Sequence, residues 1–103
     1  MVGIDEVFGP VISLLPYDDI DAVFRTVSAG HYGLQTGIFT NSTELAIRAV
    51  RSLRTGGVII NGSSTWRTDQ LAYGGVKDSG IGREGPRYSI RDMTEERMVL
   101  FNY

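Results

Sequence analysis

Residues 34–61, LQTGIFTNSTELAIRAVRSLRTGGVIIN, predict a strand, a helix and a second strand in succession. The apolar stretch that ends at Thr40 predicts the first strand. Asn41, with Glu44 three positions later, is typical of a helix N-terminus capped by its own side chains. The uninterrupted apolar run Val58-Ile59-Ile60 predicts a strand that is buried on both faces, as parallel strands in layered α/β proteins are.

The helix between these strands is predicted from its apolar spacing. Small and branched side chains recur at helical intervals at Ala46, Ala49, Val50 and Leu53. Three arginines fall on the other faces, at Arg48, Arg51 and Arg54. They could form an anion-binding patch, but the solvated face of an amphipathic helix explains them without a further assumption and is favoured. The pair Gly56-Gly57 is expected to end the segment.

Upstream of this unit the sequence predicts one more strand and one more helix. Residues 11–17 are mostly apolar and read as a strand that leads into a helix cap at Asp18-Asp19. One helix face is formed by Ile20, Val23, Phe24 and Val27, and Gly30 stands where a C-terminal cap is expected. The order of elements up to residue 61 is therefore βαβαβ, which predicts a layered α/β fold.

Downstream of the unit, residues 62–85 show no periodic pattern and predict a long loop. Loops of this length tend to carry function or to be held by a surface elsewhere. Pro86 after Gly85 favours a short helix, because proline is preorganised for the first helical position. Residues 97–103 read as a closing strand.

Composition excludes several classes of function. The chain has 103 residues, enough for one domain, and a net charge of −2 from 12 acidic and 10 basic residues, without a basic stripe for nucleic acid. The apolar runs are too short to cross a membrane. The first residues lack a secretory pattern, so a cytoplasmic location is expected. With no cysteine and one histidine, disulfides and thiol nucleophiles are excluded, and no metal site is expected.

Two features invite a functional reading that their context does not support. Residues 80–85, GIGREG, match the GxGxxG pattern of dinucleotide-binding turns. We reject that interpretation because no buried strand is predicted before them and the chain ends before a ribose-binding acid would be reached. His31 could serve as a general base, but without a partner nucleophile a turn or surface histidine is the better interpretation.

The aromatic and cationic pair Trp66-Arg67, in mid-loop with Tyr73 nearby, carries a more specific hypothesis. A guanidinium beside an aromatic ring can hold a carboxylate or phosphate through two parallel hydrogen bonds. Packing within the loop is an equally good explanation of the same residues.

Four stretches taken together resemble the aldehyde dehydrogenase superfamily, and they lie in order along nearly the whole chain. They are EVFGPV at 6–11, HYGL at 31–34, GVIIN at 57–61 and YGGVKDSGIGREG at 73–85. The resemblance is closest to members that oxidise lactaldehyde or semialdehydes. It implies that residues 1–96 are the C-terminal part of the family's α/β catalytic domain and that residues 97–103 are the terminal strand used for oligomerisation.

The resemblance also implies roles for particular residues. It places Glu6 where a carboxylate accepts hydrogen bonds from the nicotinamide ribose, and Phe8 where a ring packs beside the nicotinamide of NAD or NADP. Positions that face the aldehyde in the family are matched by Thr65, Arg67 and Tyr73, with Trp66 adjacent. Many relatives have an aromatic residue where Arg67 stands, so a guanidinium here favours an aldehyde carrying a carboxylate or phosphate.

The family's catalytic cysteine, glutamate and oxyanion-binding asparagine match no residue of this chain, so the resemblance implies no catalytic residue here. We therefore expect a C-terminal portion of an NAD(P)-dependent aldehyde dehydrogenase that is inactive alone and binds no cofactor by itself. Its expected partners are further copies of the chain, through the terminal strand, and the missing N-terminal part of the enzyme. Two alternatives stay open: a non-catalytic interaction module that pairs with dehydrogenase subunits, and the remnant of a truncated gene.

Overall fold

A computed structural model describes residues 5–103 and shows three helices and four strands in that range. The order along the chain is α1 (Ile20–Ala29), β1 (Tyr32–Gly33), β2 (Gln35–Ile38), α2 (Thr43–Ser52), β3 (Gly57–Ile60), β4 (Val76–Lys77) and α3 (Pro86–Asp92). The α/β class predicted from the sequence is confirmed. None of the helices in residues 5–103 is long and apolar enough to cross a bilayer.

The segment that predicted the fold forms a parallel β–α–β unit. Strands β2 and β3 pair in parallel from Gln35 opposite Gly57 to Ile38 opposite Ile60, and α2 connects them. The cap of α2 is Ser42, whose Oγ accepts a hydrogen bond from the Leu45 amide at 3.2 Å, rather than the predicted Asn41. Both residues have suitable side chains, so the sequence pattern locates this helix start to within one residue.

The two faces of the β2–β3 pair have different neighbours. Alternate side chains along a strand point to opposite faces. Ile38 and Val58 pack on the helix side against Phe24, Ala49 and Leu53, the buried apolar residues of the described chain. The alternate residues of both strands, among them glycines, line the opposite face. The loop that follows β3 packs on this face. The pair of strands therefore separates a helical layer from a loop layer.

A short antiparallel pair, β1 with β4, was not predicted. Strand β1 lies between α1 and β2, and β4 lies within the long loop. Lys77 in β4 has φ of 57° and donates from its Nζ to the carbonyl oxygens of Ser28 and Gly30, at 2.8 Å each. A cation at this place satisfies carbonyl groups left free at the end of α1. Lys77 thereby holds the segment that contains β4 against the C-terminal end of α1.

Two predicted strands are not formed within the single chain. Residues 11–17 and 97–103 have no strand structure, and every residue in both segments is exposed. A strand is stabilised by hydrogen bonds to a neighbouring strand, and the described part of the chain pairs only β1 with β4 and β2 with β3 in its named strands. The first strand of the predicted βαβαβ order is therefore missing from the observed order, and the C-terminal segment lies outside any sheet.

Candidate functional site

The loop of the candidate site begins at a sharp turn after β3. Asn61 adopts a left-handed conformation with φ of 56°, which asparagine tolerates better than most residues. Its backbone amide donates to the Ile38 carbonyl and its Oδ1 accepts from the Thr40 amide, both at 2.7 Å. The carboxyl ends of β2 and β3 are held together in this way, and the chain is turned back over the sheet.

The loop then lies on the face of the sheet opposite the helices. A Cβ atom at Gly37 would stand 2.5 Å from the Gly62 carbonyl oxygen and 3.0 Å from the Ser64 nitrogen, so the loop backbone approaches β2 more closely than a side chain would permit. Gln35, on the same face, donates from its Nε2 to the Trp66 carbonyl at 3.4 Å. The position of Trp66 and Arg67 is therefore set by contacts with β2.

A pocket of about 140 Å³ opens between this loop and the sheet, and we call it the Arg67 pocket. Its lining comprises Gln35, Gly57, Val58, Ile59, Trp66, Arg67, Thr68, Leu71, Ala72 and Tyr73. Three of the four residues predicted to face substrate are thus brought together. The fourth, Thr65, is outside the lining, and its hydroxyl lies 2.8 Å from that of Ser63.

Arg67 is held by two neighbours. Its guanidinium carbon lies 4.3 Å from the centroid of the Tyr73 ring, within the range of a cation–π contact. Its Nη2 donates to Glu84 Oε2 at 3.1 Å. Both partners come from the stretch that carried the family resemblance, but sequence reasoning assigned no role to Glu84, because a contact across 17 positions of loop leaves no periodic signal.

Tyr73 and Glu84 are also joined through the backbone. The Tyr73 amide donates to the Glu84 carbonyl at 3.1 Å, and the Glu84 amide donates to the Tyr73 carbonyl at 2.6 Å. These reciprocal bonds form an isolated antiparallel bridge, which fixes the backbone of Tyr73 beside that of Glu84. The loop at this point is ordered by its own hydrogen bonds.

Glu6 lies in a different and larger pocket, of about 630 Å³, which we call the Glu6 pocket. It is lined by Asp5, Glu6, Val27, Tyr32, Gly33, Leu34, Gln35, Thr36, Thr55, Asp78 and Ser79. Phe8, the other residue predicted at the cofactor, is not in the lining, and its side chain is 96% exposed. Ser79, which sequence reasoning overlooked, accepts a hydrogen bond from the Gly33 amide at 2.9 Å and closes one wall.

The two pockets differ in charge. Three carboxylates line the Glu6 pocket, at Asp5, Glu6 and Asp78, and His31 Nδ1 lies 3.9 Å from the Asp78 carboxylate. Such a lining accepts hydrogen bonds and disfavours anions. In the Arg67 pocket, by contrast, the guanidinium of Arg67 is the charged group of the lining, and the other lining residues are apolar or uncharged polar. Within residues 5–103 no cluster of three or more potential metal ligands is found.

Comparison with known proteins gives a consistent family match. Residues 2–99 match the sequence model of the Aldehyde dehydrogenase family. The 3-sulfolactaldehyde dehydrogenase of Priestia megaterium is 50% identical over 97 residues, which are 94% of this chain and 20% of that protein. The lactaldehyde dehydrogenase of Methanococcus vannielii is 40% identical over 97 residues, 94% of this chain and 21% of that protein. The chain thus spans about a fifth of the length of these relatives.

Solved structures agree with the sequence match. Aldehyde dehydrogenase 21 from Physcomitrella patens, in complex with the reaction product succinate, superposes with a TM-score of 0.85 at 46% identity, covering 89% of this chain and 19% of that one. An NAD+ complex of aldehyde dehydrogenase from Bacillus cereus superposes with a TM-score of 0.82 at 34% identity, covering 89% of this chain and 18% of that one. The glyceraldehyde-3-phosphate dehydrogenase GapN of Methanocaldococcus jannaschii, complexed with NADP, superposes with a TM-score of 0.71 at 38% identity. The match covers 74% of this chain and 17% of that one.

Proposed function

Because this chain belongs to the aldehyde dehydrogenase family, we propose that it supplies the substrate-facing loop and part of the cofactor site of an NAD(P)-dependent enzyme that oxidises an anionic aldehyde to an acid. The observation that carries the proposal is Arg67, a cation stacked on Tyr73 in the wall of a pocket that Trp66 also lines. A guanidinium in such a place recognises a carboxylate, sulfonate or phosphate and leaves a neutral aldehyde without a matching charge.

Relatives support the class of substrate. The name of the Priestia megaterium relative specifies a sulfonated aldehyde, and the product bound to the Physcomitrella patens enzyme, succinate, is a dicarboxylate. In both cases the molecule carries an anionic group in addition to the carbon that is oxidised. We infer that Arg67 contacts the corresponding group of this chain's substrate.

The Glu6 pocket has the chemistry expected of the nicotinamide-ribose end of the cofactor. An ionised carboxylate is an acceptor only, which suits two ribose hydroxyl donors and does not suit a phosphate. Glu6 lines that pocket, whereas the exposed ring of Phe8 offers a flat apolar surface outside it. When bound, NAD or NADP would accept a hydride from the substrate carbon.

The residues of this chain would bind and orient the aldehyde rather than attack it. Family members use a cysteine nucleophile, and this sequence contains none, so the nucleophile has to come from outside these 103 residues. Arg67 would fix the anionic end of the substrate, and the apolar side chains of Ile59 and Leu71 would exclude water around its carbon chain. We therefore expect no turnover by the 103-residue chain alone.

A chimaera tests this proposal. Residues 2–99 would replace the matching C-terminal fifth of the Priestia megaterium relative, and formation of reduced nicotinamide would be followed with succinate semialdehyde and with neutral butanal. We expect kcat/KM to favour the anionic substrate and Arg67→Leu to remove about 10- to 100-fold of that preference, since a hydrogen bond to a charged group is lost.

The unmodified relative controls for the assay, and the 103-residue chain alone controls for the missing nucleophile. Equal efficiency toward both aldehydes in the chimaera would contradict the anion-binding role of Arg67. Turnover by the chain alone would contradict the account of the nucleophile.

The exposed apolar segment at the C-terminus favours a second, non-catalytic candidate. Met98, Leu100 and Phe101 are 84%, 71% and 74% exposed, although side chains of this kind are usually covered. We propose that residues 97–103 pair with another dehydrogenase subunit, either in a homo-oligomer or as an interaction module. Capture of intact subunits by the wild-type chain, and its loss when Leu100 is replaced by Ser, would distinguish this role from that of an inert gene remnant.

A further inference from the structure

We propose that Glu84 is a positioning residue for anion recognition, which holds the Arg67 guanidinium from outside the Arg67 pocket so that its remaining donors serve a substrate anion inside. This inference rests on the proposed function, because it assumes that Arg67 binds the anionic end of the aldehyde. It adds a residue that sets substrate specificity without touching the substrate.

The location of Glu84 carries the first step. Glu84 is absent from the lining of the Arg67 pocket and lines a separate depression of about 320 Å³, together with Gly74, Gly75 and Arg83. Tyr73 lines both. The carboxylate therefore contacts Arg67 from outside the Arg67 pocket, and an anion in that pocket need not displace it.

The contact itself carries the second step. Glu84 accepts one hydrogen bond, from Nη2, whereas a guanidinium has five N–H donors in a fixed planar arrangement. Both bidentate edges of the guanidinium include Nη2, which has one N–H on each edge. Because Glu84 takes one hydrogen bond from Nη2 and no other hydrogen bond or ion pair to the guanidinium is found within residues 5–103, one edge remains able to bind a carboxylate or sulfonate bidentately.

The third step concerns rigidity. Stacking on Tyr73 sets the plane of the guanidinium, and the bond to Glu84 sets its rotation within that plane. The Tyr73–Glu84 backbone bridge places these two residues side by side, so both contacts hold Arg67 from one point of the loop. An arginine held in its binding geometry loses less conformational entropy when the ligand arrives, which strengthens binding.

Repulsion between Glu84 and the bound anion acts in the opposite direction. The two side chains of the pair are 45% and 66% exposed, so water screens that repulsion. The same exposure limits the benefit of the pair. We expect the positioning effect to prevail and its size to be about threefold to fivefold in affinity, as for other exposed ion pairs.

Trp66 provides the measurement, since it is the sole tryptophan of the chain and lines the Arg67 pocket. The 103-residue chain would be titrated with succinate and with neutral succinamide while Trp66 fluorescence is recorded. We expect a saturable change with succinate and a much weaker one with succinamide. Glu84→Ala should weaken succinate binding about threefold to fivefold and leave the succinamide response unchanged.

Two further variants separate positioning from general stability. Glu84→Gln keeps an acceptor oxygen and should recover part of the lost affinity, whereas Glu96→Ala, which removes an exposed carboxylate elsewhere, should have no effect. In an Arg67→Gln background, Glu84→Ala should cause no additional loss, because its effect acts through Arg67. Amide spectra establish that each variant is folded, and Glu84→Gln replaces the alanine variant if the latter does not fold.

The outcomes are distinguishable. If wild-type chain prefers succinate, Arg67→Gln removes the preference and substitution of Glu84 changes nothing, the positioning role is overturned and the proposed function stands. If Glu84→Ala strengthens succinate binding, repulsion prevails and the inference is also overturned. If the wild-type chain binds succinate no better than succinamide, the proposed function itself fails.

Discussion

The helical layer over β2 and β3 and the two terminal segments contain similar apolar residues in opposite environments. Phe24 and Leu53 are 4% and 7% exposed in the layer, whereas Leu14 and Phe101 in the segments are 90% and 74% exposed. Hydrophobicity does not distinguish the regions. The availability of a partner surface does.

The reason is the sequence distance over which each region finds its partner. Strands β2 and β3 are joined by one helix, so the unit that buries Phe24 and Ala49 is complete within a short stretch of chain. Residues 11–17 and 97–103 find no strand to pair with in the described chain. Since the chain spans a fifth of its relatives, we propose that their covering surfaces belong to the rest of such an enzyme or to another subunit.

The largest expected effect tests this contrast directly. Phe24→Ala should destabilise the chain by about 3–5 kcal/mol, because it removes a buried aromatic ring from a core with few members. Phe101→Ala removes the same ring from an exposed position and should change stability by less than about 0.5 kcal/mol. Urea unfolding followed by circular dichroism measures both.

Comparable losses in the two variants would break the contrast, since they would mean that the terminal segment packs in solution. A loss at Phe24 well under 1 kcal/mol would mean that the helical layer is not the stabilising core.

Local signals in the sequence predicted the elements of the layer well. The structure confirms Asp19 as the N-terminal cap of α1 and Gly30 as its C-terminal cap. It also confirms the β–α–β unit and the start of α3 at Gly85-Pro86. Each depends on neighbours only a few positions away. The strands β1 and β4 were missed because each has two residues and its pairing joins Tyr32 to Lys77, which no periodic pattern reports.

The candidate site could be predicted in part for the same reason. Loop position and residue type indicated Trp66, Arg67 and Tyr73, and these line one pocket. The sequence could not indicate that Thr65 lies outside the lining of the Arg67 pocket, that Phe8 is exposed, or that Glu84 pairs with Arg67. The positions of Thr65 and Glu84 depend on how the loop folds back on the sheet through Asn61, Gly37 and Gln35, and such contacts are set by tertiary geometry.

A second and smaller effect sharpens the comparison at the C-terminus. If residues 97–103 form an interface, the wild-type chain should self-associate, because an unpaired apolar segment is a template for pairing. Replacing both Leu100 and Phe101 by Ser should raise the dissociation constant at least about tenfold, equivalent to about 1.4 kcal/mol. Light scattering across a dilution series measures it.

The matched control replaces Leu14 and Leu15 by Ser, which removes equally exposed apolar side chains from the other segment. A monodisperse monomer for the wild-type chain at all concentrations would contradict the interface. Equal weakening by both double variants would mean that association is unspecific.

The smallest effect lies at Asp19, where an exposed segment meets the helical layer. Its Oδ1 accepts a hydrogen bond from the Asp21 amide at 2.9 Å, and this bond, with a smaller contribution from Arg25, lowers the pKa of Asp19 below its ordinary value of 3.8. A carboxyl whose pKa is lower in the folded state stabilises that state at pH values above the unfolded pKa, and the contribution disappears as pH falls through the folded pKa. Asp19→Ala should therefore lower the melting temperature by a few degrees at neutral pH and by less in acid, while Asp18→Ala should leave it unchanged. An equal deficit at neutral and acidic pH would show that the charge of Asp19 does not contribute to the stability of the folded chain.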